Sequence, residues 1–203
     1  MKKRLLTVPA LALFFATCLN AQLPEKAEDI APLLVGETFP NLELTGMDGT
    51  SVLFQDIVKE RPTVLLFYRG GWCPYCNRHL SAIGQNEAEI IELGYQVVAI
   101  SPDMVEKLQE TADKDEIRYR LFSDASGDFS KAAGIAFQAP GNYGQRLLDW
   151  SGGKNTGFLP VPSVFVLNTN GEILFEYINP NYKKRMSGEL LLSVLKALQV
   201  EGE

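Results

Sequence analysis

The sequence predicts an α/β protein in which helices flank a mixed central sheet. Two continuous apolar runs, Thr63–Tyr68 and Tyr95–Ile100, are typical of strands buried on both faces. The segment between them has helical spacing, and a strand–helix–strand order predicts a parallel crossover. Two later runs, Ser163–Leu167 and Glu172–Tyr177, flank the turn Asn168–Gly171 and predict an antiparallel hairpin. Parallel and antiparallel pairs together make the sheet mixed.

The other predicted elements surround these strands. Asp48–Gly49 indicates the turn of an N-terminal hairpin. Pro74–Leu93 predicts one helix, which ends at Gly94. Further patterns predict helices at 103–114, 129–133 and 187–198 and a short strand at 119–122. The segment 138–159 carries little pattern apart from a candidate helical turn at 145–150.

The first residues have the pattern of an export signal. Met1–Arg4 is basic, Leu5–Leu19 is uncharged and mostly apolar, and Ala21 offers a small residue before a cut at Gln22. The apolar stretch is shorter than the roughly 20 residues of a membrane-spanning helix. We therefore predict a signal peptide at residues 1–21.

The chain length predicts the number of domains, and the export signal predicts the compartment of the mature protein. The 203 residues, 46% hydrophobic and 22% charged, fit one globular domain, which we place at 35–200. We expect this domain outside the cytoplasm, in the periplasm or cell envelope. A retained signal anchor, or lipid attached to Cys18, is the alternative, and either would tether the protein to a membrane.

Charge and cysteine content narrow the function. Cleavage would remove Lys2, Lys3 and Arg4 and no acidic residue, which takes the net charge from −6 to −9. Such an acidic chain argues against nucleic acid or anionic lipid as a partner. Two cysteines, Cys73 and Cys76, would remain in a compartment where disulfides persist.

These two cysteines form a Cys-x-x-Cys motif between a buried strand and a predicted helix. Residues three apart in a first helical turn can bring their sulfurs within bonding distance. The amides at a helix start and the positive end of its dipole stabilise a thiolate, which is the nucleophilic form of cysteine. Pro74 suits the first helical position, where no hydrogen-bond donor is needed. Trp72 is placed to shield one side of the sulfurs.

Two other roles for the cysteines stay open. An inert structural disulfide would close a ring too short to restrict the unfolded chain much. Zinc or copper could use both thiols and His79, but the chain has no further cysteine or histidine to complete a tetrahedral site. We expect His79 on the helix surface, and we expect no cofactor and no bound metal.

A second candidate element precedes the late hairpin. Pro162 follows a loop and directly precedes the apolar run 163–167. This context predicts a cis peptide between Val161 and Pro162, beside the cysteines, with a trans proline as the alternative. A groove beside Pro162 could receive an extended substrate chain.

The stretch Phe67–Cys76 resembles the peroxiredoxin-like branch of the alkyl hydroperoxide reductase/thiol-specific antioxidant group. The resemblance continues through 36–40, 48–49, 98–101, 159–162 and 179–185 and covers nearly the whole mature chain. It implies a thioredoxin-like fold, a hydroperoxide substrate and a thioredoxin-like dithiol reductant. It leaves the oligomeric state undetermined.

The family's Pro-x-x-x-Thr-x-x-Cys pattern assigns roles by resemblance. Cys76 takes the place of the peroxidatic cysteine, Cys73 that of the threonine and Arg69 that of the proline. The resemblance thus implies that Cys76 attacks peroxide and that Cys73 resolves it. The family's arginine before the late strand is missing, so Arg69 or Arg185 must supply the cation. For Arg185 we favour a solvated charge.

Three functions follow from these patterns. We favour a thiol-dependent peroxidase that uses the Cys73–Cys76 pair. The second is an exported thiol-disulfide oxidoreductase, because such proteins share Trp-Cys-x-x-Cys and a late cis-proline. The third is a copper or zinc carrier.

Overall fold

A computed structural model describes residues 22–201 of the chain, and the side chain of residue 201 lies outside that description. The predicted signal peptide, including Cys18, falls outside the described residues. Within them, the chain forms the predicted α/β structure with a mixed seven-stranded sheet. None of the described helices is both long and apolar enough to cross a membrane.

Within residues 22–201, nine strands form one large sheet and one small one. Their ranges are β1 Glu43–Gly46, β2 Ser51–Leu53, β3 Thr63–Phe67, β4 Gln96–Ser101, β5 Arg120–Ser123, β6 Ala136–Gln138, β7 Phe158–Pro160, β8 Ser163–Leu167 and β9 Ile173–Ile178. The large sheet has the order β2-β1-β5-β4-β3-β8-β9, and β6 pairs with β7. The β3–β4 pair is parallel, whereas β8 is antiparallel to both β3 and β9. The predicted crossover and late hairpin are therefore confirmed.

In the part of the chain that the structure describes, seven α-helices connect and cover these strands. They are α1 Phe54–Val58, α2 Pro74–Gly84, α3 Glu87–Glu92, α4 Val105–Lys114, α5 Asp128–Ala132, α6 Gly144–Trp150 and α7 Gly188–Glu201. Short 3₁₀ turns lie at 27–29 and 141–143.

The central strand β3 is buried on both faces, as its apolar run predicts. Val64 and Leu66 belong to a cluster that includes both cysteines and side chains of α2, α4 and α7. Leu65 and Phe67 face the opposite cluster, which contains six phenylalanines. Five of them, Phe39, Phe54, Phe67, Phe129 and Phe165, have ring centroids 4.6–6.2 Å apart for the pairs in contact. Because both faces are covered, the end of β3 is held rigidly where the loop to α2 begins.

Three segments differ from the expectations. The predicted helix 74–93 is interrupted after Gly84, because Asn86 uses its side-chain amide to bond the Ala82 carbonyl and precedes α3. The stretch 138–159 contains α6, which confirms the helical turn expected at 145–150, but it also connects β6 to β7, a pair of strands that was not expected. Helix α1, which lies between β2 and β3, had no sequence pattern assigned to it.

Candidate active site

The loop between β3 and α2 has no room for side chains at its two glycines. Gly70 has a φ of +134°, and a Cβ there would lie 2.7 Å from Asp103 Oδ1. A Cβ on Gly71 would overlap the Thr111 hydroxyl. The Gly71 N–H donates to Asp103 Oδ2 at 2.8 Å, and its carbonyl accepts from Asn77 Nδ2, also at 2.8 Å. The loop is thus tied to both α2 and the segment that precedes α4.

Both cysteines lie at the start of α2. Cys73 is the N-cap residue and Pro74 occupies the first turn, as its missing N–H predicts. The Cys73 carbonyl accepts the N–H groups of Cys76 and Asn77, at 2.9 and 3.1 Å. Cys73 and Cys76 are free thiols and are both buried. The helix start therefore orients two sulfurs that water barely reaches.

Arg185 supplies a cation to the deeper sulfur. Its Nη2 donates to Cys76 Sγ at 3.5 Å. The guanidinium is held from the other side because it donates to the carbonyl oxygens of Tyr182 and Lys184. Arg185 is half-buried, so the expectation of a solvated charge is wrong. The connection between β9 and α7 folds over α2 and brings this distant residue to the cysteines.

The two thiols share one negative charge unequally. The pKa of Cys73 is lowered to about 6, chiefly because the Cys76 thiol donates a hydrogen bond to its sulfur, with help from the charges of Arg69 and Arg185. The pKa of Cys76 is raised well above its usual range, chiefly by burial and then by its thiolate neighbour. At neutral pH the pair is therefore a Cys73 thiolate that accepts a hydrogen bond from the Cys76 thiol.

Arg69 is a buried cation in an aromatic box. It is only 4% exposed, and its guanidinium carbon lies 5.1, 4.9 and 4.2 Å from the ring centroids of Trp72, Tyr143 and Tyr182. Trp72 packs against the core cluster that contains both cysteines, as its predicted shielding role requires. The aromatic faces stabilise the cation without neutralising it. Its charge therefore remains available to the Cys73 thiolate.

Asp103 is a site residue that the sequence analysis missed. Its carboxyl group is 1% exposed, and burial raises its pKa to about 7, while the Gly71 N–H opposes that shift. Among residues 22–201, no group donates a hydrogen bond to its Oδ1. Its position two residues after the buried strand β4, at the edge of the sheet where β3 also ends, was the available signal. Its charge and that of the Cys73 thiolate repel each other.

The expected cis peptide before Pro162 is not present. The Val161–Pro162 bond is trans. The Val161 N–H donates to the Ile135 carbonyl at 2.9 Å, which extends the β6–β7 pairing and holds the chain extended into β8.

Pro162 nevertheless lines the space beside the site. A cavity of about 290 Å³ has Pro162, Arg69, Tyr143 and Tyr182 in its wall, and residues 25–28 close another side. The groove predicted beside Pro162 is thus partly filled by the chain's own N-terminal segment.

His79 is buried in contrast to the surface position expected for it. It lies on the face of α2 that the segment around Met186 covers. Burial and the nearby Arg185 charge lower its pKa to about 4, so the ring is neutral at pH 7. No three histidine, cysteine, aspartate or glutamate side chains converge as a metal site within residues 22–201.

The fold and the helix-start cysteine pair define the class of this molecule: a thioredoxin-fold thiol oxidoreductase. The model of the AhpC/TSA family matches residues 35–175, and the chain belongs to that family.

The relatives agree with this assignment. Peroxiredoxin Bcp of Escherichia coli (strain K12) is 25% identical over 165 residues, which are 81% of this chain and 97% of the relative. Peroxiredoxin bcp1 of Schizosaccharomyces pombe is 28% identical over 135 residues, 66% of this chain and 68% of the relative. The structure of Peroxidoxin BcpB from Mycobacterium tuberculosis matches with a TM-score of 0.65 at 22% identity, covering 81% of this chain and 97% of that one. The peroxidase function is supported over the two alternatives.

We expect Arg69→Met to raise the pKa of Cys73, because it removes a cation that favours the thiolate. Each unit of increase lowers the thiolate fraction below the pKa about tenfold. The rate of iodoacetamide alkylation, followed from pH 4 to 9, measures this shift. Arg69→Lys, which keeps the charge, should restore much of the wild-type pKa of Cys73. Arg118→Met, at a residue that lies beside the C-terminal end of α2, should leave the pKa read from the profile unchanged. An unchanged profile for Arg69→Met would remove Arg69 from the site.

Asp103→Asn should have the opposite effect. Loss of the nearby negative charge lowers the pKa of Cys73, and Asn can still accept the Gly71 N–H. The alkylation profile should shift to lower pH and lose the broadening that ionisation of Asp103 near pH 7 produces. Asp124→Asn is the matched control, because Asp124 is also buried with a raised pKa but bonds Ser130 in α5. If the pKa of Cys73 in Asp103→Asn is unchanged or higher than in the wild type, the Asp103 carboxylate does not destabilise the Cys73 thiolate.

Proposed function

We propose that this protein reduces hydroperoxides with Cys76 as the attacking sulfur and Cys73 as its base and resolving partner. The single observation that carries the proposal is the guanidinium of Arg185 at 3.5 Å from Cys76 Sγ. A peroxide oxygen that approaches this sulfur would meet the same cation, which can polarise the O–O bond and stabilise the leaving oxygen.

The charge distribution of the pair suggests how the first step proceeds. The resting thiolate on Cys73 accepts a hydrogen bond from the Cys76 thiol. As Cys76 attacks the terminal peroxide oxygen, its proton moves to Cys73. The S–O bond forms and the O–O bond breaks, which leaves a sulfenic acid on Cys76 and an alkoxide beside Arg185. The alkoxide then takes a proton from water to become the alcohol.

The second step forms a disulfide between Cys73 and Cys76. The Cys73 thiol condenses with the Cys76 sulfenic acid, which forms the disulfide and releases water. Both residues belong to the first turn of α2, so this step needs little chain movement. A dithiol then resets the pair by attack on the disulfide, and itself becomes oxidised. We propose a protein of the thioredoxin type as this reductant.

A second candidate function, thiol-disulfide exchange with other proteins, rests on the lowered pKa of Cys73. A thiolate at the more accessible position of a Cys-x-x-Cys motif is suited to attack a disulfide. The same reduced protein can be given either a peroxide or a protein disulfide, so the two activities can be compared directly.

Serine variants test the assignment of roles. Cys73→Ser should still reduce one equivalent of peroxide and stop as a sulfenic acid, because Cys76 keeps Arg185 and loses the neighbouring charge that raises its pKa. Cys76→Ser should be inert towards peroxide. Single-turnover peroxide consumption, with free thiols counted in parallel and sulfenic acid trapped by dimedone, measures both.

The wild-type protein is the reference for these variants and should consume one peroxide while losing two thiols. If Cys76→Ser keeps the fast reaction and Cys73→Ser loses it, then Cys73 is the peroxide nucleophile. Peroxide consumption by neither the wild type nor either variant, together with rapid reduction of a protein disulfide, would favour the second candidate function.

We also propose that the protein is exported and acts in the periplasm or cell envelope, on the basis of the pattern in residues 1–21. The intact mass of protein purified from the producing cells should correspond to a chain that begins at Gln22. A mass that includes residues 1–21 would indicate a retained anchor, and a lipid adduct on Cys18 would indicate a lipoprotein.

A further inference from the structure

Four exposed cations form a rim around the redox site: Arg78, Arg146, Lys183 and Lys184. Arg78 lies 5.5 Å from the ring of Tyr75, and Arg146 lies 5.2 Å from the ring of Trp72. Trp72 and Tyr75 are the chain neighbours of Cys73 and Cys76. Arg78 and Arg146 therefore contact the aromatic side chains that flank the two cysteines.

Lys183 and Lys184 extend the cationic rim to the other side of the site. Lys183 lies 5.9 Å from the ring of Tyr182. Tyr182 packs edge-on against Tyr75, with 5.7 Å between ring centroids, and covers the guanidinium of Arg69. A half-buried aromatic patch with a charged perimeter results, which is the usual anatomy of a protein–protein interface.

None of the four rim cations is in a salt bridge within residues 22–201. The five salt bridges of that part of the chain use Lys59, Lys107, Arg120, Lys131 and Lys196. Some acidic groups also border this face: Asp149 accepts a hydrogen bond from Gln145, and Glu25 and Glu28 line the cavity. On a chain whose net charge is −6, this face is thus an exception.

The chemistry of peroxide reduction does not account for the cationic rim. The cations that lower the pKa of Cys73 are Arg69 and Arg185, which are buried and half-buried. Exposed charges at the perimeter are screened by water and contribute little to a buried thiol. A neutral hydroperoxide gains nothing from long-range attraction, whereas a negatively charged protein does.

We propose that the cationic rim is the docking surface for the protein that reduces the Cys73–Cys76 disulfide, and that this reductant presents an acidic surface around its own dithiol. The inference rests on the proposed function, because it concerns the reductive half of that cycle. Complementary charge would orient the partner over Trp72 and Tyr75 and raise the association rate.

The thiol-disulfide exchange that follows docking needs only the reductant and the Cys73–Cys76 disulfide. A thiolate of the reductant attacks one sulfur of the disulfide, and the other sulfur leaves and takes up a proton. The second thiol of the reductant then attacks the mixed disulfide and releases the remaining sulfur. Two electrons pass from the reductant, which ends as a disulfide, to the Cys73–Cys76 pair, which ends as two thiols.

Charge reversal of the cationic rim tests the proposal. The disulfide is formed with diamide, and its reduction by an acidic thioredoxin is followed by quenching and thiol counting at low and high salt. Arg78→Glu, Lys183→Glu and Lys184→Glu, combined in one variant, should lower the second-order rate constant about tenfold or more at low salt. The difference between the rate constants of the variant and the wild type should largely vanish near 1 M salt, where the Debye length is only about 3 Å. A thioredoxin whose acidic surface residues are changed to lysine should instead react faster with the variant.

The matched control carries the same charge change elsewhere: Arg61→Glu, Lys114→Glu and Arg118→Glu, all on exposed residues, two of them beside the far end of α2. It should keep the wild-type rate within about twofold. Dithiothreitol attacks as a small thiolate and has no protein surface to dock, so its rate should change far less than that of thioredoxin in both variants.

Three results would overturn the proposal. They are an unchanged rate for the rim variant, an equal loss in the control, or an equal loss with dithiothreitol. Failure of the proposed function is recorded separately, as no peroxide loss in single turnover of the reduced wild type, because the disulfide used here is not made with peroxide.

Discussion

The close packing of the loop between β3 and α2 is the constraint on which the site depends. Gly70 and Gly71 lie against Asp103 and Thr111 with no space for a Cβ, and the hydrogen bond from the Gly71 N–H to Asp103 fixes the loop. Since β3 is buried on both faces, the loop can move at neither end. The start of α2, and with it the cysteine pair, is therefore placed by close contacts between the loop backbone and the buried side chains of Asp103, Asn77 and Thr111.

This rigid support also explains the electrostatics of the pair. A buried sulfur loses the stabilisation that water gives to a thiolate, so both cysteines would be neutral without compensation. Arg69, Arg185 and the hydrogen bond between the thiols offset that loss for one charge only. The Asp103 carboxyl group is close enough to oppose a thiolate when it ionises. The site therefore holds a single negative charge whose position depends on small changes in its surroundings.

Several site residues were accessible to sequence reasoning, and others were not. The positions of Cys73, Pro74 and Trp72 follow from a short motif at a strand–helix junction, where local geometry decides the outcome. His79 was expected on the surface because helical spacing does not reveal that the segment before α7 covers α2. The cis geometry expected before Pro162 was wrong: a proline between a loop and a strand is compatible with either isomer, and the pairing of Val161 with Ile135, which continues the β6–β7 ladder, is a contact that the local sequence does not reveal.

The amino-acid sequence alone predicts the mixed α/β class, the central strands and the cysteine pair at a helix start, because apolar periodicity and turn residues act over short distances. It also indicates Arg69, which lies two residues beyond the end of β3. The contact between Arg185 and Cys76, the position of Asp103 beneath the loop, and the choice of thiol that holds the charge arise only in the folded chain. These properties depend on burial and on distances between residues far apart in the chain, since desolvation and Coulomb interactions are set by the folded surroundings of a group and not by its neighbours in sequence.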